Sequence, residues 1–214
     1  MLALDRISDF IRSYIDDYGD ALDDIYKDAI KRGIPVLKPE TREFLKTQLI
    51  IKKPVRVLEI GTAVGYSSLF MSNYLSDGAS IDTIELSSER VMEARANISA
   101  LGRDAVISVH EGDAAAVLRT LESDTYDFAF VDAAKGQYIF YLPDVLRLVK
   151  SEGVIISDNV LQEGEVLESH YLVEKRNRTI HDRMREYLYT ITHSEELDTA
   201  ILSVGDGVAV SVKR

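Results

Sequence analysis

Residues 126–138 read YDFAFVDAAKGQY: an apolar run ends abruptly in Asp132, and Lys135 follows three positions later. The run predicts a buried strand with Asp132 at its C-terminal end, the edge where open α/β sheets hold their ligands. A second apolar run, GVIISDNVL, ends in Asp158 and Asn159. If the two strands are neighbours, three hard oxygen donors converge on one edge. Such donors, without histidine or cysteine, suit Mg2+, or else Mn2+ or Ca2+, and leave coordination positions for a substrate. A lysine desolvated beside such a dication loses its proton more readily and becomes a proton acceptor. Taken singly, each residue has a plainer reading: Asp-Asn is turn chemistry after a strand, and most lysines are surface charges.

A second group of residues points to a nucleoside. LEIGTAVGYSS places Gly61 and Gly65 around a turn that leads from a strand into a helix near Tyr66. Glycine there lets the backbone approach a ligand closely. The pattern is not G-x-G-x-x-G, because Ala63 takes the middle position, so a pyrophosphate cradle is weakened. Glu59 at the strand end and the Ser67 hydroxyl suit the ammonium and carboxylate of an amino acid instead. Glu85, at the end of the next strand, is the usual partner of ribose hydroxyls. Asp113 and the backbone after it can read an adenine amine, although aspartate is also a good helix N-cap. Tyr171 and Lys175 form the Y-x-x-x-K pair of short-chain dehydrogenases, a coincidence given the altered glycine turn. The four histidines have no ligand spacing.

These residues need a parallel sheet to bring them together. Strand-like runs at 55–60, 80–86, 105–110, 127–131 and 153–157 alternate with helical patterns at about 65–76, 88–101, 113–121 and 138–150. Apolar strands alternating with helices predict a doubly wound parallel sheet. Before it, helical spacing (Leu4, Ile7, Ile11; Leu22, Ile25, Ala29) predicts two amphipathic helices, with a third at about 40–51. After it, a long polar helix at about 168–193 leads to two β-rich runs flanking GDG, a hairpin signal. The simplest organisation is one domain over 1–214, with a helical cap at 1–52 and a Rossmann-like core at 53–214.

Composition narrows the partners. The chain of 214 residues is 46% hydrophobic and 29% charged, with no cysteine. Disulfides, thiolate metal sites and cysteine nucleophiles are therefore excluded. No signal-like N-terminus or membrane-length apolar run is present, so a cytoplasmic protein without membrane contact is expected. The net charge of −11 argues against a polyanionic partner, but it is unevenly spread. Residues 1–26 carry seven acids (Asp5, Asp9, Asp16, Asp17, Asp20, Asp23 and Asp24). Residues 27–56 carry nine bases, and KRNR at 175–178 with Arg183 and Arg185 forms a second basic cluster. Solvated helix faces would account for both clusters, and so would two patches that receive nucleic acid.

VLEIGTAVGYSS, VDAAKGQY, GVIISDNVL and VGDGVAVSVK together resemble the catechol-type O-methyltransferases, which depend on a metal and on S-adenosylmethionine. The resemblance runs from about Ile34 to the C-terminus. It implies a class I methyltransferase fold, with a mostly parallel seven-stranded sheet ending in an antiparallel hairpin, and usually a homodimer. It implies Asp132, Asp158 and Asn159 as metal ligands and Lys135, with Asp132, as catalytic. Glu59, Gly61 and Ser67 match positions around the methionine part of the cofactor, and Glu85 matches the ribose-binding acid. Asp113 and Ala114 match the adenine contacts, Leu37 a covering position, and Asp132 also lies near the cofactor's amino group.

DAAKGQY, SDNVL, EKRNR and GDG look most like one bacterial branch, the tRNA 5-hydroxyuridine methyltransferases. The expected reaction is methyl transfer to a hydroxyl with a second oxygen beside it. The expected substrate is 5-hydroxyuridine in a tRNA anticodon loop, with the two basic segments holding phosphates. A small-molecule O-methyltransferase acting on catechols or caffeoyl-CoA-like phenols is the alternative. A noncatalytic adenosine-binding module or an NAD-linked dehydrogenase is a third reading, from another class.

Overall fold

The computed structural model describes residues 4–15 and 21–214, so Asp16, Asp17 and Asp20 of the acidic N-terminal run lie outside the described residues. Three helices come first: α1 (Leu4–Arg12), α2 (Ala21–Lys31) and α3 (Pro39–Lys52). The core then alternates: β1 (Arg56–Ile60), α4 (Tyr66–Ser72), β2 (Ser80–Glu85), α5 (Ser88–Ala100), β3 (Ile107–Glu111), α6 (Ala114–Thr120), β4 (Tyr126–Val131), α7 (Tyr138–Leu148) and β5 (Val149–Ser157). It closes with α8 (Arg178–His193), β6 (Leu197–Leu202) and β7 (Val208–Lys213). Among the described residues, no helix is long and apolar enough to cross a membrane.

The seven strands lie in the order β3-β2-β1-β4-β5-β7-β6. The first five are parallel, and β7 runs antiparallel to both β5 and β6. Strand order reverses between β1 and β4, which makes a crevice at the carboxyl ends of those strands. Register places the functional positions there. Ile60 pairs with Ile84 and with Val131, and Val131 pairs with Ser157, so Gly61, Glu85, Asp132 and Asp158 each leave the sheet at one level.

The strands are apolar on both sides because both faces are covered. Leu58, Ile60, Ala129, Val131 and Ile155 pack in one core with residues of α6, α7 and α8. Their alternates Val57, Phe128, Phe130 and Ile156 pack in another with residues of α2, α3, α4 and α5. Successive side chains of a strand point to opposite faces, and this divides them.

Two expected boundaries move. The helix expected over 168–193 begins only at Arg178. The segment before it is a looped strap held by tertiary hydrogen bonds: Arg178 donates to the carbonyls of Val173 (3.1 Å) and Tyr171 (3.3 Å), and Arg185 donates to that of Val166 (3.3 Å). These long polar side chains give the backbone carbonyls partners that a helix would otherwise supply. The fifth strand begins at Val149, because the chain leaves α7 directly into the sheet and turns at Glu152, whose φ is 63°.

Candidate active site

The centre of the site is the strand edge around Gly61. Its φ is 106°, and a Cβ there would lie 2.0 Å from the Asp132 carbonyl oxygen, so only glycine fits between β1 and the loop after β4. Asp132 is anchored by its amide, which donates to the Ile60 carbonyl at 2.9 Å, and the Asp158 amide donates to the Val131 carbonyl at 3.0 Å. Asn159 adopts a left-handed φ of 59°, which asparagine tolerates better than most residues. In that pose its Nδ2 donates to Asp132 Oδ1 at 2.9 Å, and its backbone amide donates to Asp158 Oδ1 at 2.8 Å. The structure thus brings Asp132, Asp158 and Asn159 together, and all three line one cavity with Lys135.

A buried tyrosine fixes this arrangement from below. The Tyr138 hydroxyl lies 3.2 Å from the Val131 carbonyl and 3.1 Å from the Asp158 carbonyl, and accepts from the Ala133 amide at 3.3 Å. It therefore ties both strand ends to the loop that carries Lys135. Its ring meets Tyr187 edge-to-face at 5.6 Å, and the Tyr187 hydroxyl is 2.6 Å from Ser157 Oγ. Sequence reading missed this clamp. Tyr138 closes the DAAKGQY motif, but nothing in its spacing says that its hydroxyl turns inward.

The electrostatics of this end are strained. Burial raises the pKa of the Asp132 carboxyl, with Asp206 adding to the rise, while Asn159 and Lys135 oppose it. Burial also raises Asp158, and the charge on Asp132 pushes it further. Two like-charged carboxyls removed from water in one site cannot both remain ionised without a cation. Their donor set, with the Asn159 side-chain oxygen, is all hard oxygen. That fits Mg2+, Mn2+ or Ca2+ and does not fit a thiophilic ion.

The same cavity continues past β2 and β3. Glu85 lines it and accepts from the amides of Ala63 and Ser87, both at 2.9 Å. Ala63 itself has a φ of 45°, so the carboxylate holds the turn where a dinucleotide fingerprint would have glycine. Asp113 and Ala114 line the cavity at the start of α6, where Asp113 accepts from the Ala116 amide at 3.1 Å. Asp113 is thus an N-cap as well as a wall. Leu37, 3% exposed, and Ser67 complete that wall.

Glu59 is the exception among the expected site residues. It is fully buried and does not line the cavity. Ser68 donates to its Oε2, as does Thr83 at 2.5 Å, while its Oε1 has no partner. Burial pushes its carboxyl up to about 7 against the pull of the neighbouring hydroxyls. It sits beneath the Gly61 turn, with an unmet acceptor behind the cavity wall.

The cavity has a volume of about 1070 Å³. That is just above the usual range for cofactor and small-molecule sites, ~300–1,000 Å³, and leaves room for a cofactor and a substrate together. Among the described residues its lining cations are Arg12, Lys38 and Lys135. Lys38 reaches across to Asp206 in the β6–β7 loop at 2.6 Å, so the segment before α3 and the C-terminal hairpin meet over the acidic end. In sequence Asp206 is only the middle of the GDG hairpin signal and Lys38 one base of a basic run; nothing pairs them, since the contact joins positions 168 apart. The remaining bases of the two clusters do not line the cavity, and Tyr171 is 85% exposed and away from it.

A parallel sheet with a nucleoside-type crevice at its switch point and an antiparallel seventh strand defines a class I methyltransferase. The O-methyltransferase family model matches residues 18–214. The chain belongs to that family, the S-adenosylmethionine-dependent O-methyltransferases of the catechol and caffeoyl-CoA type. A caffeoyl-CoA O-methyltransferase from Stellaria longipes is 32% identical over 178 residues, covering 79% of this chain and 73% of its own. A catechol O-methyltransferase from Niastella koreensis is 29% identical over 143 residues, covering 64% of this chain and 65% of its own. The crystal structure of an O-methyltransferase from Bacillus cereus in complex with SAH superposes with a TM-score of 0.85 at 25% identity, covering 98% of this chain and 97% of that one.

Proposed function

We propose that this protein methylates one hydroxyl of a small vicinal diol, a catechol or a caffeoyl-CoA-like phenol. The observation that carries the reading is a single cavity with a cluster of hard oxygen donors and a lysine at one end and two acids suited to a nucleoside at the other. S-adenosylmethionine supplies the methyl group. In this reading Glu85 accepts hydrogen bonds from the cofactor's ribose hydroxyls, and Asp113 with Ala114 contacts its adenine. Gly61 and Ser67 border the methionine part, with Glu59 supporting that wall from behind, and Leu37 covers the site. Asp132, Asp158 and Asn159 would hold a divalent cation, which would supply Lewis-acid polarisation to a substrate hydroxyl. Lys135 takes the hydroxyl proton at its Nζ. The Tyr138 clamp keeps the lysine loop and both acid-bearing strand ends in register, and so fixes the groups that would orient the substrate hydroxyl.

The names of the relatives favour a small phenolic substrate. So does the use of the arginines. Arg32 binds Glu93 and Asp28, Arg42 reaches Tyr66, and Arg56 binds Asp82. Arg176 pairs with Glu174, while Arg178, Arg183 and Arg185 donate to backbone carbonyls. Every arginine of the two basic clusters has a partner within the chain, at the surface for Arg176, which weakens the case for a tRNA phosphate grip. The test offers purified protein, labelled S-adenosylmethionine and Mg2+ to catechol, caffeoyl-CoA, a monophenol and tRNA containing 5-hydroxyuridine. Transfer to the vicinal diols, abolished by EDTA and absent with the monophenol, is expected. Transfer to tRNA alone would move the assignment to the nucleic-acid branch.

A further inference from the structure

A second cluster lies away from the cavity, where the strap before α8 crosses its first turns. His170 Nδ1 is 2.8 Å from Asp182 Oδ1, and His181 Nδ1 is 3.1 Å from the same oxygen. One ligand atom from each residue lies within 4.8 Å of the others. We propose that His170, His181 and Asp182 form a separate transition-metal site, of Zn2+ type, that fastens the strap to α8.

Hydrogen-bond bookkeeping carries the proposal. His181 is 1% exposed, and its Nε2 lies 3.1 Å from the Glu168 carbonyl. A carbonyl only accepts, so Nε2 carries the proton. In the neutral ring Nδ1 is then a bare lone pair, and it faces a carboxylate oxygen, another acceptor. Either a second proton or a cation must lie between them, and a second proton places a charged ring in a buried position. A zinc ion resolves this conflict at His181 and takes His170 Nδ1 and Asp182 Oδ1 as further ligands. With Zn–N and Zn–O distances of ~2.0–2.2 Å, ligand atoms of a regular tetrahedron stand roughly 3.4 Å apart, so the cluster needs only a small expansion. The carbonyl on His181 Nε2 is the outer-shell partner that metal-bound imidazoles ordinarily have. Asp182 is half exposed, which leaves an entry path and a fourth position for water. The donors are imidazole-rich, unlike the all-oxygen cluster at Asp132, so the two sites select different ions.

Equilibrium dialysis of the full chain against Zn2+ in excess Mg2+ tests this, with His170→Ala and Asp182→Ala as variants at partly exposed positions. The wild type is expected to retain one Zn2+ that Mg2+ does not displace, and each variant to bind it about a hundredfold more weakly. Tetrahedral Co2+ absorption bands should appear in the wild type and vanish in both variants. Unchanged Zn2+ affinity in the variants would place the ion elsewhere and overturn the proposal. No retained Zn2+, with His181 seen doubly protonated by NMR, would overturn it in favour of an imidazolium–carboxylate pair. Circular dichroism of the variants confirms that the fold survives, so loss of binding can be read as loss of the site.

Discussion

Acids at the two ends of the cavity are in opposite situations. Asp132 and Asp158 are desolvated and face each other, and each is pushed toward its neutral form. Glu85 accepts two backbone amides, and Asp113 accepts one at a helix start. Amide donors stabilise a carboxylate in place and orient it for further donors, such as sugar hydroxyls. Two carboxyls without enough donors create a demand for positive charge. In the proposed reading one kind of residue serves cation capture at one end and hydroxyl recognition at the other, and the difference lies in the hydrogen bonds already made.

The largest test of this contrast is Asp158→Ala. If a cation is held there, methyl transfer should fall by about a thousandfold, several kcal/mol of lost charge stabilisation. Affinity for the cofactor should change little. A variant that keeps its rate and its sensitivity to EDTA breaks the assignment of that end.

Glu59, fully buried in β1, sharpens the role of burial. Its folded pKa is raised above the unfolded value, so its contribution to stability is full below about 4.5 and is lost as pH rises through about 7. A shift of that size corresponds to about 3 kcal/mol. Glu59→Gln should therefore flatten the dependence of cofactor-free stability on pH between those values, read by denaturant melts. Parallel wild-type and variant curves would show that the carboxyl is not desolvated.

Lys135→Ala should lower kcat about a hundredfold while leaving the KM for S-adenosylmethionine near the wild-type value. A matching rise in KM with kcat unchanged would make the lysine a binding residue. The smallest effect is at the satisfied end. Glu85→Gln should weaken cofactor binding roughly tenfold by calorimetry, with kcat at saturation nearly intact. A thousandfold loss there would erase the distinction between the ends.

Most of the core was legible because its signals are local. The alternation of apolar strands with amphipathic helices located all five parallel strands, and GDG marked the hairpin between β6 and β7. Acids at strand ends marked the edge, since residues that stop an apolar run sit where the sheet meets solvent. The strap at 168–177 was misread as helix because its polar composition tolerates a helix, and only side chains of α8 reaching its carbonyls, Arg178, His181 and Arg185, decide otherwise. The histidines gave no spacing signal because His170 and His181 approach through a tertiary crossing, not along one helix face.

By itself, then, the sequence determined the parallel sheet, the crevice and the residues that end its strands, because periodicity and chain-terminating polar groups act over a few positions. Tertiary structure alone decided that Glu59 lies behind the wall and that Tyr138 clamps two strands. It likewise decided that Lys38 meets Asp206 and that the arginines of the basic clusters find partners within the chain. Those outcomes depend on strand register and on which buried acceptors need donors, and both are set by chain segments far apart in sequence.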